Sequence, residues 1–313
     1  MTMKRTVFEL LAFYAVGIFF LSSPLECRVP FVNNDDLGLL PDLKQPVIEI
    51  LFLANLNGNL ENCHCGNPSL GGLPQIYTLI TEKRVKNPDI LVIDGGDFLN
   101  SYPFEALNRT TVEIYQLINP DYLMLGDQEF YESTPFTRRL IQKFAGRIVA
   151  GNYSVEGIPL NPSFRLQSGK NKHISLTSFL DERAFFHTTN PGLVHSDRAL
   201  FDKTYQQLPE KDFTIALFHG PRYQLDWFRE TYSRIDLILF GHEQSYLSDL
   251  DRKPAVIGGG SDGEHIIHIE VYAGAIGYEY KHKAIPVTLQ IKADERINAI
   301  IERFKNHVKQ QSE

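Results

Sequence analysis

Cysteine and positive charge are both scarce in this sequence. The 313 residues include only three cysteines, Cys27, Cys63 and Cys65, which do not make a disulfide framework. A hydrophobic core must therefore hold the fold. The net charge is −7, and this argues against nucleic acid or an anionic membrane surface as the main partner.

Long apolar runs are also lacking, with one exception at the N-terminus. Lys4 and Arg5 precede an apolar run at residues 10–21. This run suits an export signal and is short for a membrane span, which needs about 20 residues. An uncleaved anchor stays open because Glu9 abuts the run and no A-x-A cleavage site follows it. We predict an export signal or anchor over residues 1–26.

The segment after residue 26 is predicted to be a linker. Residues 27–45 lack periodicity and contain two prolines, so they predict a linker. Cys27 is a candidate for lipidation, although Pro24-Leu25-Glu26 makes a poor lipobox. The protein is thus expected to be exported, either periplasmic or membrane-anchored, and to meet a membrane only through this N-terminal part.

Strand and helix patterns alternate over residues 46–290, which predicts a single α/β domain. A last amphipathic helix is expected over residues 291–313, with Asp294 as its N-cap. The strands are predicted at residues 47–54, 90–93, 122–125, 147–150, 173–179, 213–218, 235–240, 255–257, 266–272 and 278–289. The other helices are predicted at residues 72–85, 105–118, 133–144, 197–208 and 223–232.

Polar residues directly follow five of these apolar strands. They are Asn55 and Asn57, Asp97, Asp127 and Gln128, His219, and His242 and Gln244. The carboxyl ends of strands in open α/β sheets are where ligands bind, so we expect these side chains to share one site. Each alone has a plain explanation, since an aspartate can cap the next helix and a lone histidine is more often a satisfied interior group. The recurrence at five strand ends favours a site.

In order and spacing, these segments resemble the 5′-nucleotidase branch of the calcineurin-like metallophosphoesterases. The resemblance covers residues 47 to 272 and is carried by ILFLANLNGNLE, GGLPQIYTLI, LVIDGGDFL, YLMLGDQEF, IALFHG and LILFGHEQ. The family pattern is D-x-H, G-D, G-N-H-[DE], a lone H and G-H-x-H. The resemblance implies a single-domain, four-layer α/β/β/α sandwich with two facing sheets.

The resemblance also implies a metal centre, of which one half survives in this chain. In this family two metal ions, bridged by the G-D aspartate, activate water for in-line attack on a phosphate. Asp97 matches the bridging aspartate, Asp127 stands at the asparagine ligand, and His219 and His242 match two histidine ligands. These four residues are the predicted metal ligands, for one divalent ion (Zn, Mn or Fe) or none.

At the positions that bind the second metal in the family, this chain has amide side chains. Asn55, Asn57 and Gln244 replace an aspartate and two histidines, and neutral amides are poor ligands for Zn²⁺ or Mn²⁺. Gln128 occupies the place of the catalytic histidine and cannot donate a proton near neutral pH. Losing such a donor costs about 10²–10⁴ in rate. The catalytic residues are therefore unknown, and it is uncertain whether the chain is an enzyme.

A C-x-C loop lies on the same strand–helix connection. Cys63-His64-Cys65 follows Asn57 by six residues. The pair can be incidental, can form a strained and redox-active disulfide, or can supply two thiolates to a soft metal. Some members of the resembling branch carry a similar C-x-C together with N-x-N in place of D-x-H, which would make this chain part of a divergent sub-branch.

Three hypotheses for the function follow. The first is an exported metallophosphoesterase-like protein with a degenerate, single-metal site and weak or lost phosphomonoester hydrolysis. The second is a metal- or redox-active binding protein that uses Cys63 and Cys65, and the third is a genuine phosphoesterase with a rearranged site. A small phosphorylated molecule is the expected partner. Only about 40 residues follow Tyr272, so we expect no separate nucleoside-binding domain.

Overall fold

The structure is a computed structural model that describes residues 45–63, 68–168, 172–185 and 193–312. All of these residues belong to one compact unit, residues 37–313. The predicted export signal or anchor, Cys27, nearly all of the predicted linker, His64 and Cys65 lie outside the described residues.

Fifteen β-strands and six α-helices form within the described ranges. The strands are β1 (Ile48–Leu53), β2 (Asn62–Cys63), β3 (Leu70–Gly71), β4 (Leu91–Asp94), β5 (Tyr122–Leu123), β6 (Tyr153–Val155), β7 (Ser163–Ser168), β8 (Lys172–Leu180), β9 (Val194–Ser196), β10 (Phe213–His219), β11 (Leu237–Gly241), β12 (Ser248–Asp249), β13 (Ala255–Gly258), β14 (His265–Ala273) and β15 (Tyr278–Pro286). The helices are α1 (Leu73–Lys86), α2 (Glu105–Ile118), α3 (Thr134–Phe144), α4 (Arg198–Gln207), α5 (Arg222–Thr231) and α6 (Glu295–Ser312).

Two mixed sheets carry most of these strands. The first sheet has the order β15-β14-β1-β4-β5, and its strands β1, β4 and β5 run parallel. The second sheet has the order β12-β13-β11-β10-β8-β7, and its strands β13, β11, β10 and β8 run parallel. Antiparallel strands lie at both edges of the second sheet but at only one edge of the first, where the parallel strand β5 forms the other edge.

Alternation along the central strands divides the apolar residues between two cores. On β10, Ile215 and Leu217 belong to a central core that joins residues of both sheets, whereas Ala216 and Phe218 face an outer aromatic core. Leu239 and Phe240 of β11 divide in the same way. Because successive side chains of a strand point to opposite faces, a continuous apolar run is what a doubly covered strand requires.

The outer aromatic core packs helices α4 and α5 against the second sheet. Phe201 of α4 and Phe228 of α5 are fully buried there, and the ring of Phe228 lies 4.9 Å from that of Phe218 and 5.1 Å from that of Phe179. Helices α1, α2, α3 and α6 contribute to the central core instead. The predicted four-layer α/β/β/α sandwich is therefore confirmed.

The first five predicted helices begin and end within a residue of the observed ones, whereas the last helix begins at Glu295, four residues later than predicted. Asp294 caps α6 by accepting hydrogen bonds from the backbone N–H groups of Arg296 and Ile297. The predicted strand at residues 147–150 is wrong. Ile148 bridges to Leu123 and Val149 to a different segment, so no continuous ladder forms. No helix among the described residues combines the length and apolar character that a bilayer crossing needs.

Candidate metal centre

The carboxyl ends of four parallel strands bring the predicted ligands together. Asp97 lies three residues beyond β4 and Asp127 lies in the loop after β5, both at the edge of the first sheet. His219 is the last residue of β10, and His242 directly follows β11 in the second sheet. Since β10 and β11 are paired in register, with His219 opposite Gly241, the two histidines arrive side by side.

The four side chains form a compact set of possible ligands. One carboxylate or imidazole atom from each lies within 4.8 Å of the others. His219 Nε2 is 3.3 Å from an oxygen of Asp97 and 3.3 Å from one of Asp127, and His242 Nδ1 is 3.1 Å from Asp127. Two carboxylates and two imidazoles are ligands that Zn²⁺, Mn²⁺ and Fe favour. These residues therefore fit one divalent ion.

Hydrogen bonds orient two of the four candidate ligands, His219 and Asp127. His219 Nδ1 lies 2.9 Å from the carbonyl oxygen of Gly95, which leaves Nε2 facing the two carboxylates. Such an outer contact fixes the tautomer and the ring direction of a metal-binding histidine. The hydroxyl of Tyr131 donates to Asp127 and orients that carboxylate in turn.

Buried charges shift the pKa values at this centre. Burial alone lowers the pKa of the His219 imidazole, but the charges of Asp97 and Asp127 outweigh it, so the pKa lies well above its usual value. Burial alone raises the pKa of Asp127, and the hydrogen bonds with His219 and His242 reverse this and hold the pKa below the usual range. His219 and Asp127 thus stabilise each other's charged form.

Glu129 holds the loops that carry the two aspartates. Its carboxylate accepts hydrogen bonds from the backbone N–H groups of Asp97 (2.9 Å), Leu99 (3.0 Å) and Gly126 (2.7 Å). The side chain is fully buried, and burial together with the charge of Asp97 raises the pKa of this carboxyl. Glu129 has no role in the prediction from sequence. The acidic residue that follows G-N-H in the family pattern could have pointed to it.

Gly126 permits the close approach of these loops. A Cβ atom at this position would lie 2.2 Å from Asp97 Oδ1 and 2.5 Å from a ring carbon of His219. Ordinary carbon contacts lie at about 3.5–4.0 Å, so no larger residue fits without displacing the ligands.

The amides at the other half of the centre bind one another. Asn57 Nδ2 donates to Gln244 Oε1 (2.7 Å) and to Asp262 Oδ1 (2.8 Å). Asn57 Oδ1 accepts from Gln128 Nε2 (3.0 Å), and the same nitrogen donates to Asp97 Oδ2 (3.2 Å). The side chains of Asn57, Gln128 and Gln244 therefore form a hydrogen-bonded network with the surviving Asp97.

Asn55 is used in a different way, as a clamp between loops. Its Nδ2 donates to the carbonyl oxygens of Glu243 and Gly260, each at 2.7 Å. Its Oδ1 accepts from the backbone N–H of His242, also at 2.7 Å. The side chain is completely buried, so its amide serves the backbone of the β11 and β13 loops rather than an open cavity.

Asp262 is a second residue that sequence reasoning missed. It follows β13 in the Gly259–Gly263 loop and accepts from Asn57 and from Asn59 Nδ2 (2.6 Å). Its backbone N–H donates to the carbonyl oxygen of Asn55 (2.7 Å). The glycine-rich loop after a predicted buried strand was the signal for it.

Some of the remaining site predictions concern residues that the structure does not describe. The backbone of Cys63 lies in β2, opposite Leu70 of β3. Its side chain and the whole of Cys65 lie outside the described residues, so the thiol hypothesis stays a prediction. Asp94 does not cap α2, because its carboxylate accepts from Gly96 N and from the Tyr115 hydroxyl, each at 2.8 Å.

Fold and site together define a metal-dependent phosphoesterase-like protein. The calcineurin-like phosphoesterase family matches residues 62–246, which is more than half of the chain. The chain belongs to this family. No curated protein sequence matches it significantly.

Solved structures of similar fold include three larger proteins. SoxB sulfate thiohydrolase of Thermus thermophilus superposes with a TM-score of 0.71 at 15% identity, over 85% of this chain and 61% of SoxB. The 5′-nucleotidase precursor of the same species has a TM-score of 0.66 at 15% identity, over 84% of this chain and 59% of the precursor. NAD nucleotidase (NadN) of Haemophilus influenzae has a TM-score of 0.68 at 12% identity, over 84% of this chain and 67% of NadN. The chain spans about three fifths of SoxB and of the precursor, and these likenesses concern the fold.

Proposed function

We propose that this chain is an exported member of the family whose centre binds one divalent ion and hydrolyses phosphomonoesters weakly or not at all. The observation that carries the proposal is the amide network at the second-metal positions. Asp97, Asp127, His219 and His242 would hold the ion, which would supply Lewis-acid chemistry when bound. The nucleotidase names of two structural neighbours support a small phosphorylated molecule as the ligand.

Hydrogen bonds within the protein already engage the amide oxygens at the second-metal positions. Asn57 Oδ1 and Gln244 Oε1 each accept a hydrogen bond from a neighbouring side-chain amide, and Asn55 Oδ1 accepts from the His242 backbone. A cation at these positions would have to break that network and would gain neutral ligands in exchange. Asp97 is the one carboxylate among the four residues that the family uses there, so this half of the site does not fit a metal.

The charge of the site also disfavours phosphoryl transfer. Among the described residues, the ion-pair partners of Asp97 and Asp127 are His219 and His242, and no lysine or arginine pairs with either. Stabilising the charge of a transferring phosphoryl group normally takes a clamp of metal ions or of Arg and Lys. Gln128 adds a neutral donor in place of an acid.

Metal content and turnover, measured on the same preparation, test the proposal. After metal loading, we expect the unmodified protein to bind one equivalent of Zn²⁺ or Mn²⁺ more than the variant Asp97→Asn, and to hydrolyse p-nitrophenyl phosphate near background. A difference of two equivalents between the two proteins, together with turnover that Asp97→Asn abolishes, would instead support a genuine phosphoesterase.

Reversing the amide substitutions is the sharper test. The combined variant Asn55→Asp, Asn57→His, Gln128→His and Gln244→His restores the family residues at these four positions. We expect it to bind one equivalent more than the unmodified chain and to gain at least about 10² in phosphomonoester hydrolysis, the lower end of what a positioned proton donor contributes. A control with Gln128→His alone should gain neither metal nor rate.

The thiol hypothesis is a second candidate that the same assays separate. The β2–β3 hairpin carries Cys63 on the same β1–α1 connection as Asn57, which supports a role near the site. The variant Cys63→Ser with Cys65→Ser should leave metal content unchanged under the single-ion proposal. Loss of the bound metal in this variant would favour the binding-protein function.

Export is proposed from the N-terminal sequence alone. Cell fractionation of the full chain should place it outside the cytoplasm, and the mass of the mature N-terminus distinguishes an uncleaved anchor from cleavage before Cys27. A diacylglycerol adduct on Cys27 would identify the lipidated form. A cytoplasmic chain of full mass would contradict this part of the proposal.

A further inference from the structure

We propose a second divalent-metal site on the outer face of the first sheet, formed by Glu49, His268 and Glu270. We refer to these three residues as the strand-face cluster. Glu49 lies on β1, and His268 and Glu270 lie two residues apart on β14. One possible ligand atom from each lies within 4.8 Å of the others. The inference is independent of the function proposed above.

The strand register brings the three side chains to one face. Glu49 is directly opposite Glu270 in the antiparallel β1–β14 pair, and Leu51 is opposite His268. Side chains two residues apart on a strand point to the same face, so His268 and Glu270 lie side by side. His268 Nε2 is 3.1 Å from Glu49 Oε2. Three residues on two paired strands form a rigid frame of the kind a metal site requires.

The two carboxylates of Glu49 and Glu270 face each other, which favours the binding of a cation between them. Like charges directly opposite each other on neighbouring strands are destabilising. Lys281 and Lys283 of β15 lie opposite Glu270 and His268 in register, yet the Lys281 ammonium lies 5.2 Å from the ring centroid of Tyr272. Within the described part of the chain, neither lysine forms an ion pair with the two glutamates, and Glu270 accepts a hydrogen bond from the Tyr272 hydroxyl (3.0 Å).

The chemistry of the cluster selects the class of ion. One imidazole and two carboxylates are ligands of Zn²⁺ and Mn²⁺, and they leave further coordination positions for water. The side chains of His268 and Glu49 are 15% and 21% exposed, so an ion from solvent reaches them. A doubly charged ion would neutralise the two glutamates.

The strand-face cluster is separate from the Asp97 centre. Glu49 lies near the start of β1, whereas Asn55 follows the end of that strand. Six residues of extended chain span about 20 Å at about 3.3 Å each. An ion in the cluster would tie β1 to β14 close to where the described chain begins, so we expect it to stabilise the fold.

Metal counting on single variants of the full chain tests the site. Each protein is stripped with a chelator, equilibrated at one free Zn²⁺ concentration, and analysed for zinc per chain. We expect His268→Gln and Glu270→Gln to bind one equivalent fewer than the unmodified chain. The matched control Glu279→Gln removes a charge from β15, opposite Tyr272 in register, and should bind as many as the unmodified chain. Because the test compares the zinc content of each variant with that of the unmodified chain, its result does not depend on the number of ions at the Asp97 centre.

Thermal unfolding gives a second readout that does not depend on counting. Zn²⁺ should raise the Tm of Asp97→Asn by at least about 3 °C, and adding Glu49→Gln and Glu270→Gln should abolish the rise. In chelator the same two glutamine substitutions should raise the Tm, because they remove the facing charges. Equal zinc content in all variants, with a Zn²⁺-induced rise that survives both glutamine substitutions, would overturn the site and leave the His268–Glu49 contact as an ordinary ion pair.

Discussion

Replacing Gly126 by alanine should disable the metal centre while leaving the fold intact. The added methyl would lie 2.2 Å from Asp97 Oδ1 and 2.5–2.6 Å from two ring atoms of His219. Reaching ordinary contact distances requires a shift of about 1 Å. Ligand distances at a metal site tolerate about 0.2 Å, so we expect the affinity for Zn²⁺ to fall by about 100-fold or more, equal to about 2.7 kcal/mol.

The stability cost of the same change should be modest. Overpacking of this kind costs about 1–3 kcal/mol, so circular dichroism should show a folded protein with a lower Tm. The matched control is Gly146→Ala, because a Cβ at Gly146 meets no atom within 4 Å and this residue lies in an exposed turn. That control should keep both the metal and the Tm. If Gly126→Ala binds Zn²⁺ as tightly as the unmodified protein, the four residues are not the ligands and the argument from close approach is wrong.

Three further predictions concern the scaffold. Phe228→Ala should lower the free energy of unfolding by about 3–5 kcal/mol in urea titrations, and Phe228→Leu by less than about 1.5, because the ring fills the outer aromatic core. Tyr115→Phe should cost about 1–3 kcal/mol by the same assay, since it leaves the buried Asp94, whose pKa burial raises to about 7, without its hydroxyl donor. For Asp212→Asn, a Tm deficit at pH 7 should shrink as the pH falls below about 3.9. Hydrogen bonding to Arg165 holds the pKa of Asp212 below its unfolded value of about 3.9, so this stabilisation exists above that pH and is lost below it.

The sequence was sufficient for the sandwich because its main elements are long and strongly periodic. Strands such as β10 and β11 are covered on both faces and are apolar throughout, and the helices carry one buried stripe. Most of the two- and three-residue strands were not predictable, because β2, β3, β6, β9 and β12 are too short to show a period. The pairing of β1 with β14 also escapes local reasoning, since more than 200 residues separate the partners.

For the site, the sequence located the ligand positions but not what surrounds them. Strand ends predict where Asp97, Asp127, His219 and His242 converge, since parallel strands finish at one edge. The roles of Glu129 and Asp262 depend on hydrogen bonds between loops that are distant in sequence, and no local pattern encodes such bonds. The same holds for the hydrogen bonds among the amides, which are a property of three-dimensional contacts.

The backbone at positions 55 and 57 suits asparagine. Asn55 and Asn57 have φ values of 53° and 57°, in the left-handed region that β-carbons disfavour. Asparagine adopts this conformation more readily than most residues and bonds locally with its amide. Asp97 and His242 share this conformation, with φ values of 59° and 75°, so the backbone alone does not select asparagine. Under the single-ion proposal, the hydrogen bonds from Asn57 to Gln128, Gln244 and Asp262 link the loops that a second cation would otherwise join. The amides would then hold the loops together without a second metal ion.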